Sequence, residues 1–122
     1  MANSRRLVKF AGLIKKEVSY IINQKVKNPE KGFITINSVK VSPDLKIATL
    51  YYTVLGDDEQ KEKSDQVLKK SSGFIRNELK GYIKARFLPE LRFFYDDTLE
   101  QAQKINTLLN KIHDGAGPQE QQ

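Results

Sequence analysis

Two runs of residues typical of β-strands, separated by a turn that contains a proline, constrain the fold of this chain most. Residues 33–41 and 45–55 are rich in β-branched and aromatic residues, and residues 42–45 join them. Pro43 suits the second position of a type I turn and Ser42 suits the first. The sequence therefore predicts a β-hairpin whose second strand has two alternating faces.

Helical periodicity flanks this hairpin on both sides. Apolar residues recur every three or four positions over residues 4–26 and 59–87, and again from Asp97 onward, which predicts three helical regions. A short run from Leu91 to Tyr95 predicts a third strand. The last helix has an apolar stripe that we expect to be buried, formed by Leu99, Ala102, Ile105, Leu108, Leu109 and Ile112.

The middle helical region is interrupted by small residues. Ser71, Ser72 and Gly73 lie at its centre and Gly81 lies near its end, and glycine inside a helix costs about 1 kcal/mol relative to alanine. The predicted order is therefore α-β-β-α(kink)α-β-α. This order indicates an α+β fold, with a small three-stranded mixed sheet and helices on one face. We expect one domain over residues 1–113 and a disordered tail over 114–122.

The charge excess lies entirely at the N-terminus. The 122 residues carry 21 Lys and Arg against 15 Asp and Glu, a net charge of +6. Residues 1–31 contain eight basic and two acidic side chains, which is the same excess. A localised positive field attracts a polyanion such as nucleic acid. There is no cysteine, and no apolar run approaches the roughly 20 residues that span a bilayer. We therefore expect a cytoplasmic protein with no membrane role.

Basic side chains also gather on one side of the middle helical region. A break at Ser72-Gly73 would expose backbone N–H groups at a new helix start, which favours phosphate binding. In the alternative interpretation these cations are only solvated and Gly73 packs against a neighbour. Together with the N-terminal cations, the pattern favours RNA. The predicted RNA-binding residues are Arg5, Arg6, Lys9, Lys16, Lys69, Ser71, Ser72, Gly73, Arg76, Lys80 and Lys84.

No residue pattern indicates catalysis, a metal site or a cofactor. His113 is the only histidine, which excludes a histidine-rich metal site, and its place in the last turn of the last predicted helix favours a capping or solvent role over a catalytic one. The acidic residues over 57–62 are better explained by a loop and a helix N-terminus than by a cation. No glycine-rich phosphate loop is present. The aromatic residues of the strands, Tyr51 and Phe94 among them, favour cross-strand pairing over base stacking.

Several short motifs occur together along the chain. They are Arg5-Arg6 before an amphipathic helix, Asn28-Pro29, Val39-Lys40-Val41-Ser42-Pro43-Asp44-Leu45, Ala48, Tyr51-Tyr52, Ser71-Ser72-Gly73-Phe74-Ile75-Arg76, Pro89-Glu90-Leu91-Arg92-Phe93 and Asp96. With these motifs, residues 4–113 resemble the bacterial ribosome-binding factor A family.

The resemblance implies a type II KH-like domain that binds RNA. In the family a helix-kink-helix with an A-x-G signature replaces the usual G-x-x-G loop, and Ser71-Ser72-Gly73 stands at that position here, with serine for alanine. The implied partner is 16S rRNA in the free or immature 30S subunit, with ribosomal proteins at the site as further contacts. The implied role is late rRNA maturation, including 5′-end processing, and growth in the cold.

From the residues themselves we expect a monomer that is not an enzyme. A second hypothesis remains open, in which the chain is a basic adaptor that docks on an acidic partner protein.

Overall fold

The computed structural model describes residues 2–116, with side chains over residues 5–111. It contains three helices and three strands in the order α-β-β-α-β-α. The elements are α1 (Ala2–Gln24), β1 (Phe33–Val41), β2 (Ile47–Leu55), α2 (Asp58–Leu79), β3 (Glu90–Tyr95) and α3 (Thr98–Ala116).

The sheet is three-stranded and mixed, with strand order β1-β2-β3. The strands β1 and β2 form the predicted antiparallel hairpin, and β3 pairs with β2 in parallel. Parallel neighbours need a crossover connection, which α2 supplies. The predicted α+β fold class and mixed sheet are therefore confirmed.

The core lies between one face of the sheet and two helices. On β2 the buried residues alternate from Ala48 to Val54, because successive side chains of a strand point to opposite faces. On the other face Tyr51 lies beside Phe94, with ring centroids 6.3 Å apart, as expected for a cross-strand pair. The helix residues that fill the core are Ile14, Val18, Ile21 and Ile22 of α1 and Val67, Leu68, Ile75 and Leu79 of α2.

The middle helical region differs from the prediction at two points. The helix α2 runs without interruption through residues 71–73, so the predicted kink does not divide it into two helices. A glycine costs a helix only about 1 kcal/mol, which the packing of its apolar face outweighs. The predicted helix over residues 80–87 is wrong, because the chain turns at Gly81. The N–H of Gly81 donates to the carbonyl of Glu78 at 3.0 Å, a tight bond that closes the last turn.

The last helix also differs from the prediction. All side chains of α3 from Thr98 to Lys111 are exposed, so the apolar stripe predicted to be buried faces solvent. Its leucines and Ile105 are 55–69 % exposed. The helices α1 and α2 already cover the inner sheet face, which leaves no core surface for a third helix. One tie to α2 is the ion pair of Lys61 Nζ with Glu100 Oε1 at 3.3 Å.

The C-terminal boundary also differs from the prediction. The helix α3 continues to Ala116, beyond the predicted boundary at residue 113. Gly115 is a weak barrier, because a glycine costs a helix only about 1 kcal/mol. The rest of the predicted tail, 117–122, lies outside the described residues, as do the side chains of Ile112 and His113.

Candidate nucleic-acid interface

Most of the N-terminal cations point to solvent. Lys31 is the exception, because its Nζ donates to the carbonyls of Ile22 and Val26 at 2.8 and 3.1 Å and so caps the end of α1. The exposed ones are Arg5, Arg6, Lys9, Lys15, Lys16, Lys25 and Lys27. The positive field predicted from the sequence is therefore carried by the outer surface of α1 and the loop that follows it.

A large open cleft lies beside this basic surface. Its volume is about 1380 Å³. Its walls come from α1 between Arg6 and Lys16, the hairpin turn at residues 43–46, Arg76 of α2, and the segment 85–90. We call it the α1 cleft. It brings together elements that are distant in the sequence, and of the predicted cations of the middle helical region only Arg76 lines it.

The α1 cleft contains part of the predicted RNA-binding set. Arg6, Lys9 and Lys16 of α1 line it together with Arg76 of α2. Arg5, Lys80 and Lys84 are exposed but do not line it. The cleft also includes two basic residues that sequence reasoning missed, Lys46 and Arg86. Residues 80–87, predicted as helix, form an irregular segment that turns back toward α1. The wrong helix prediction is why Arg86 was not expected beside α1.

Arg76 has a structural function that the sequence did not predict. Its Nε donates to the carbonyl of Pro89 at 3.0 Å and its Nη2 donates to the carbonyl of Leu88 at 2.7 Å. Pro89 is fully buried, so its carbonyl needs a partner within the protein. Arg76 therefore holds the segment 85–90 against α2 and shapes one wall of the α1 cleft. Its charge still contributes to the positive field there.

Other predicted residues lie at a second, smaller hollow. Lys69 and Ser72 border it beside β3, and its volume is about 250 Å³. Lys69 pairs with Asp65, Nζ to Oδ2, at 2.9 Å, and this hydrogen bond raises the pKa of Lys69. Ser72 Oγ donates to the carbonyl of Lys69 at 3.2 Å, and Ser71 is half-buried. The predicted set is thus divided between two places on α2.

Gly73 is exposed in the middle of α2, and no packing requires it. A Cβ built at this position meets nothing within 4 Å. The alternative in which Gly73 packs against a neighbour is therefore wrong. The continuous helix also means that no new helix start offers its N–H groups at Ser72-Gly73. What remains is a bare stretch of helix backbone that a ligand can approach closely.

The hairpin turn places a leucine in an unusual conformation beside the cleft. Leu45 has φ of +63°, in the left-handed region that bulky residues rarely adopt. Its N–H donates to the carbonyl of Ser42 at 2.8 Å. The Ser42 hydroxyl at 2.6 Å and the N–H of Lys46 at 3.1 Å both donate to Asp44 Oδ1. These bonds lower the pKa of Asp44, and the turn they form positions Leu45 to line the cleft.

Over residues 5–111, whose side chains the structure describes, no three His, Cys, Asp or Glu residues lie close enough to hold a metal ion. In the same part of the chain, none of the helices combines the length and apolar character needed to cross a bilayer.

Comparison with known families identifies the family of this chain. The family model described as ribosome-binding factor A matches residues 6–109. The chain belongs to the ribosome-binding factor A family. Ribosome-binding factor A of Macrococcus caseolyticus (strain JCSC5402) is 42 % identical to it over 100 residues, which cover 82 % of this chain and 88 % of the relative. The resemblance read from the sequence is therefore confirmed.

Solved structures of ribosome-binding factor A share the fold. The Thermus thermophilus crystal structure has a TM-score of 0.66 at 18 % identity and covers 73 % of this chain and 93 % of its own. The Thermotoga maritima solution structure, named as a putative ribosome binding factor A, has a TM-score of 0.64 at 26 % identity, covering 73 % and 85 %. A Thermus thermophilus homology model fitted into a cryo-EM map of a 30S complex gives 0.62 at 18 % identity, covering 75 % and 96 %.

Proposed function

We propose that this protein binds 16S rRNA of the free or immature 30S subunit and assists its late maturation, including processing of the 5′ end. Its family supports this role, and a member of the same fold has been fitted into a map of a 30S complex. The observation that carries the proposal is the convergence of Arg6, Lys9 and Lys16 with Arg76 at one cleft. The protein acts as a binding factor, not as an enzyme.

The proposed mechanism uses phosphate contacts to position the protein. Lys and Arg side chains on α1 and α2 neutralise rRNA phosphates, which fixes orientation but carries little sequence information. Specificity then comes from the shape of the folded rRNA and from ribosomal proteins at the site. A factor that binds one subunit conformer better than another shifts the population toward it. Such help has its greatest effect in the cold, where conformational barriers are crossed more slowly. The role requires a cytoplasmic location and no more than a monomer.

Salt-dependent binding to purified immature 30S subunits tests the proposal. The double variant Lys9→Gln with Lys16→Gln should bind more weakly, and its slope of log affinity against log salt should fall by about 1.5 because two fewer counterions are released. The matched control is Lys25→Gln with Lys27→Gln, which removes two exposed cations just beyond the end of α1, the nearer of them roughly 13 Å past Lys16. Equal affinity and slope for both pairs would contradict the proposed surface.

Gly73 provides a second test, on α2. The variant Gly73→Val should weaken subunit binding while the fold survives, because a side chain here blocks the backbone and its Cβ meets no neighbour. Gly73→Ala is the control for stability and should raise the free energy of unfolding by about 1 kcal/mol. If Gly73→Val binds subunits as tightly as the natural chain, no ligand approaches the backbone at this position.

Sedimentation with subunits before and after RNase treatment separates RNA binding from the adaptor hypothesis. Binding through rRNA is lost after digestion, whereas binding to an acidic ribosomal protein survives it.

A further inference from the structure

The lining of the α1 cleft is more apolar than phosphate binding requires. Its apolar lining is formed mainly by leucine and phenylalanine side chains, namely Leu7, Phe10, Leu13, Leu45, Phe87 and Leu88. The volume of about 1380 Å³ exceeds the roughly 300–1,000 Å³ of small-molecule sites. A helix about 10 Å wide would fill that volume over about 18 Å, roughly three turns. The cleft therefore has the size and chemistry of a groove for a macromolecular segment.

Two features of the cleft have no explanation in the packing of the domain. Leu45 holds a left-handed backbone, which costs about 1–2 kcal/mol for a residue with a Cβ, yet its side chain stays 46 % exposed. Phe87 is 75 % exposed beside it in the same lining. Neither side chain contributes much to the core of the domain. Residues that are strained or exposed without benefit to the fold are typical of binding sites.

A glycine in α1 opens the cleft further. Gly12 lies in the middle of the helix between Lys9 and Lys16, where glycine costs about 1 kcal/mol relative to alanine. A Cβ at Gly12 would meet nothing within 4 Å, so no neighbour in the domain requires its small size. Gly12 lines the cleft, and the space that a side chain would occupy is left to a ligand.

The charges of the cleft lining indicate the sign of the charge that its occupant carries. The two acidic residues of its lining already have partners, since Asp44 accepts from Ser42 and Glu90 pairs with Arg92 at 2.9 Å. Over the described side chains, no ion pair involves the other five cations of the lining besides Arg76, which are Arg6, Lys9, Lys16, Lys46 and Arg86. The occupant is therefore acidic where it meets these five residues.

Two other candidate occupants are RNA, which matches only the charge of the cleft, and a second copy of the chain, which matches only its apolar lining. The rRNA phosphates of the proposed function would meet the cations at the rim of the cleft but would leave its leucines without a partner. The exposed helix α3 of a second copy would cover the leucines, but Thr98–Lys111 carries Lys104 and Lys111 against the single acid Glu100. It would therefore bring further positive charge to a basic surface.

We propose that the α1 cleft is a docking groove for a protein segment, an amphipathic helix of about three turns whose apolar face is flanked by acidic residues. This goes beyond the proposed function, which requires only that phosphates meet the cations. Helix-in-groove binding is an established mode for such pairs of surfaces. The partner's leucine or isoleucine side chains would contact Leu13, Leu45 and Phe87, and its carboxylates would meet Lys9, Lys16 and Arg86.

Fluorescence anisotropy with a synthetic peptide tests this proposal on the full chain. The probe is a labelled 15-residue helical peptide with Leu and Ile on one face and Glu on both sides of that face. The variant Phe87→Ser should weaken its binding at least tenfold. Phe33→Ser is the matched control, because Phe33 is also 75 % exposed but lies at the other end of β1, about 26 Å from the turn. Phe33→Ser should bind the peptide as tightly as the natural chain does.

Gly12→Leu gives an independent test that does not weaken the fold. A Cβ at Gly12 meets no neighbour and leucine is a better helix former than glycine, so unfolding monitored by circular dichroism should show equal or greater stability. Binding of the peptide should fall at least tenfold. Peptide binding that is absent, or that is the same in the natural chain, Phe87→Ser and Gly12→Leu, would overturn the proposal.

Three further probes separate the competing occupants. A peptide with each Glu replaced by Lys should not bind, and binding equal to that of the acidic peptide would overturn the proposal. A 12-nucleotide single-stranded RNA should bind the natural chain and Phe87→Ser alike. RNA binding that depends on Phe87 would assign the cleft to RNA. A dimer in analytical ultracentrifugation that Phe87→Ser abolishes would assign it to a second copy. Lys9→Gln with Lys16→Gln should weaken both subunit binding and peptide binding, whereas Phe87→Ser should weaken peptide binding alone, so Phe87→Ser distinguishes failure of this proposal from failure of the proposed function.

Discussion

The hydroxyl of Tyr52 donates to Oδ1 of Asp65 at 2.6 Å and joins the central strand of the sheet to α2. Tyr52 is almost completely buried, and its burial together with this bond to Asp65 raises its pKa well above the usual value. Burial opposes ionisation of Asp65, but the hydrogen bonds from Tyr52 and Lys69 outweigh it and lower the pKa of Asp65. The pair is therefore a neutral donor and a charged acceptor at neutral pH.

This pair predicts a loss of stability in acid. Because the pKa of Asp65 is lower in the folded chain, its contribution is complete above the ordinary value of 3.8 and is lost as the pH falls through the folded value. Asp65→Asn should lower the free energy of unfolding by about 1 kcal/mol at pH 7. Urea unfolding at pH 7, 5 and 3 should show the gap to the natural chain closing at the lowest pH. A gap of constant size would contradict this.

Arg76 should behave differently from Lys80, the next basic residue along the chain. Arg76→Ala leaves the buried carbonyl of Pro89 and that of Leu88 without their donor, so we expect a loss of about 2 kcal/mol. Lys80→Ala is the control, since Lys80 is exposed and its loss should change stability by less than about 0.5 kcal/mol. Thermal unfolding of both variants measures the difference, and equal melting temperatures would exclude the structural role of Arg76.

Replacing Leu45 with glycine should stabilise the fold, although the leucine side chain is lost. Glycine adopts φ of +63° without steric cost, so Leu45→Gly should raise the free energy of unfolding by about 1 kcal/mol. Leu45→Ala is the matched control, because it removes the same apolar contacts but keeps the strain. Chemical denaturation should rank Leu45→Gly above Leu45→Ala. The reverse order would show that the exposed side chain stabilises the fold.

Leu68 and Leu108 both belong to regular apolar stripes of helices, but their replacement should affect stability very differently. Leu68 of α2 is completely buried, and Leu68→Ala should cost about 2–5 kcal/mol. Leu108 of α3 is 58 % exposed, and Leu108→Ala should change stability by less than about 0.5 kcal/mol. Unfolding curves of the two variants give the comparison. A large loss for Leu108→Ala would mean that α3 packs on the domain.

The sequence was sufficient for elements whose signal is local. The hairpin at Ser42–Leu45, the apolar stripe of α1 and the strand from Leu91 all depend on neighbours within a few residues, and the structure contains each of them. The fold class then followed from their order. The stripe of α3 is equally regular, but periodicity shows only that a face is apolar and does not identify what covers it.

The candidate site was harder to predict because it depends on tertiary placement. Arg76 and Lys80 have the same charge and lie four residues apart in the sequence, yet one binds two carbonyls and the other is exposed. That difference depends on the path of the segment after Gly81, which the sequence pattern predicted as helix. Lys46 and Arg86 were missed for the same reason, since only the folded chain brings them beside α1.

The parallel pairing of β3 with β2 has a consequence for folding during synthesis. The helix α1 and the hairpin are complete well before Glu90 is translated, but Leu91 and Phe93 of β3 fill part of their core. The nascent chain must therefore keep a partly open apolar interior until β3 has left the exit tunnel, and its folding becomes cooperative only near the end of translation.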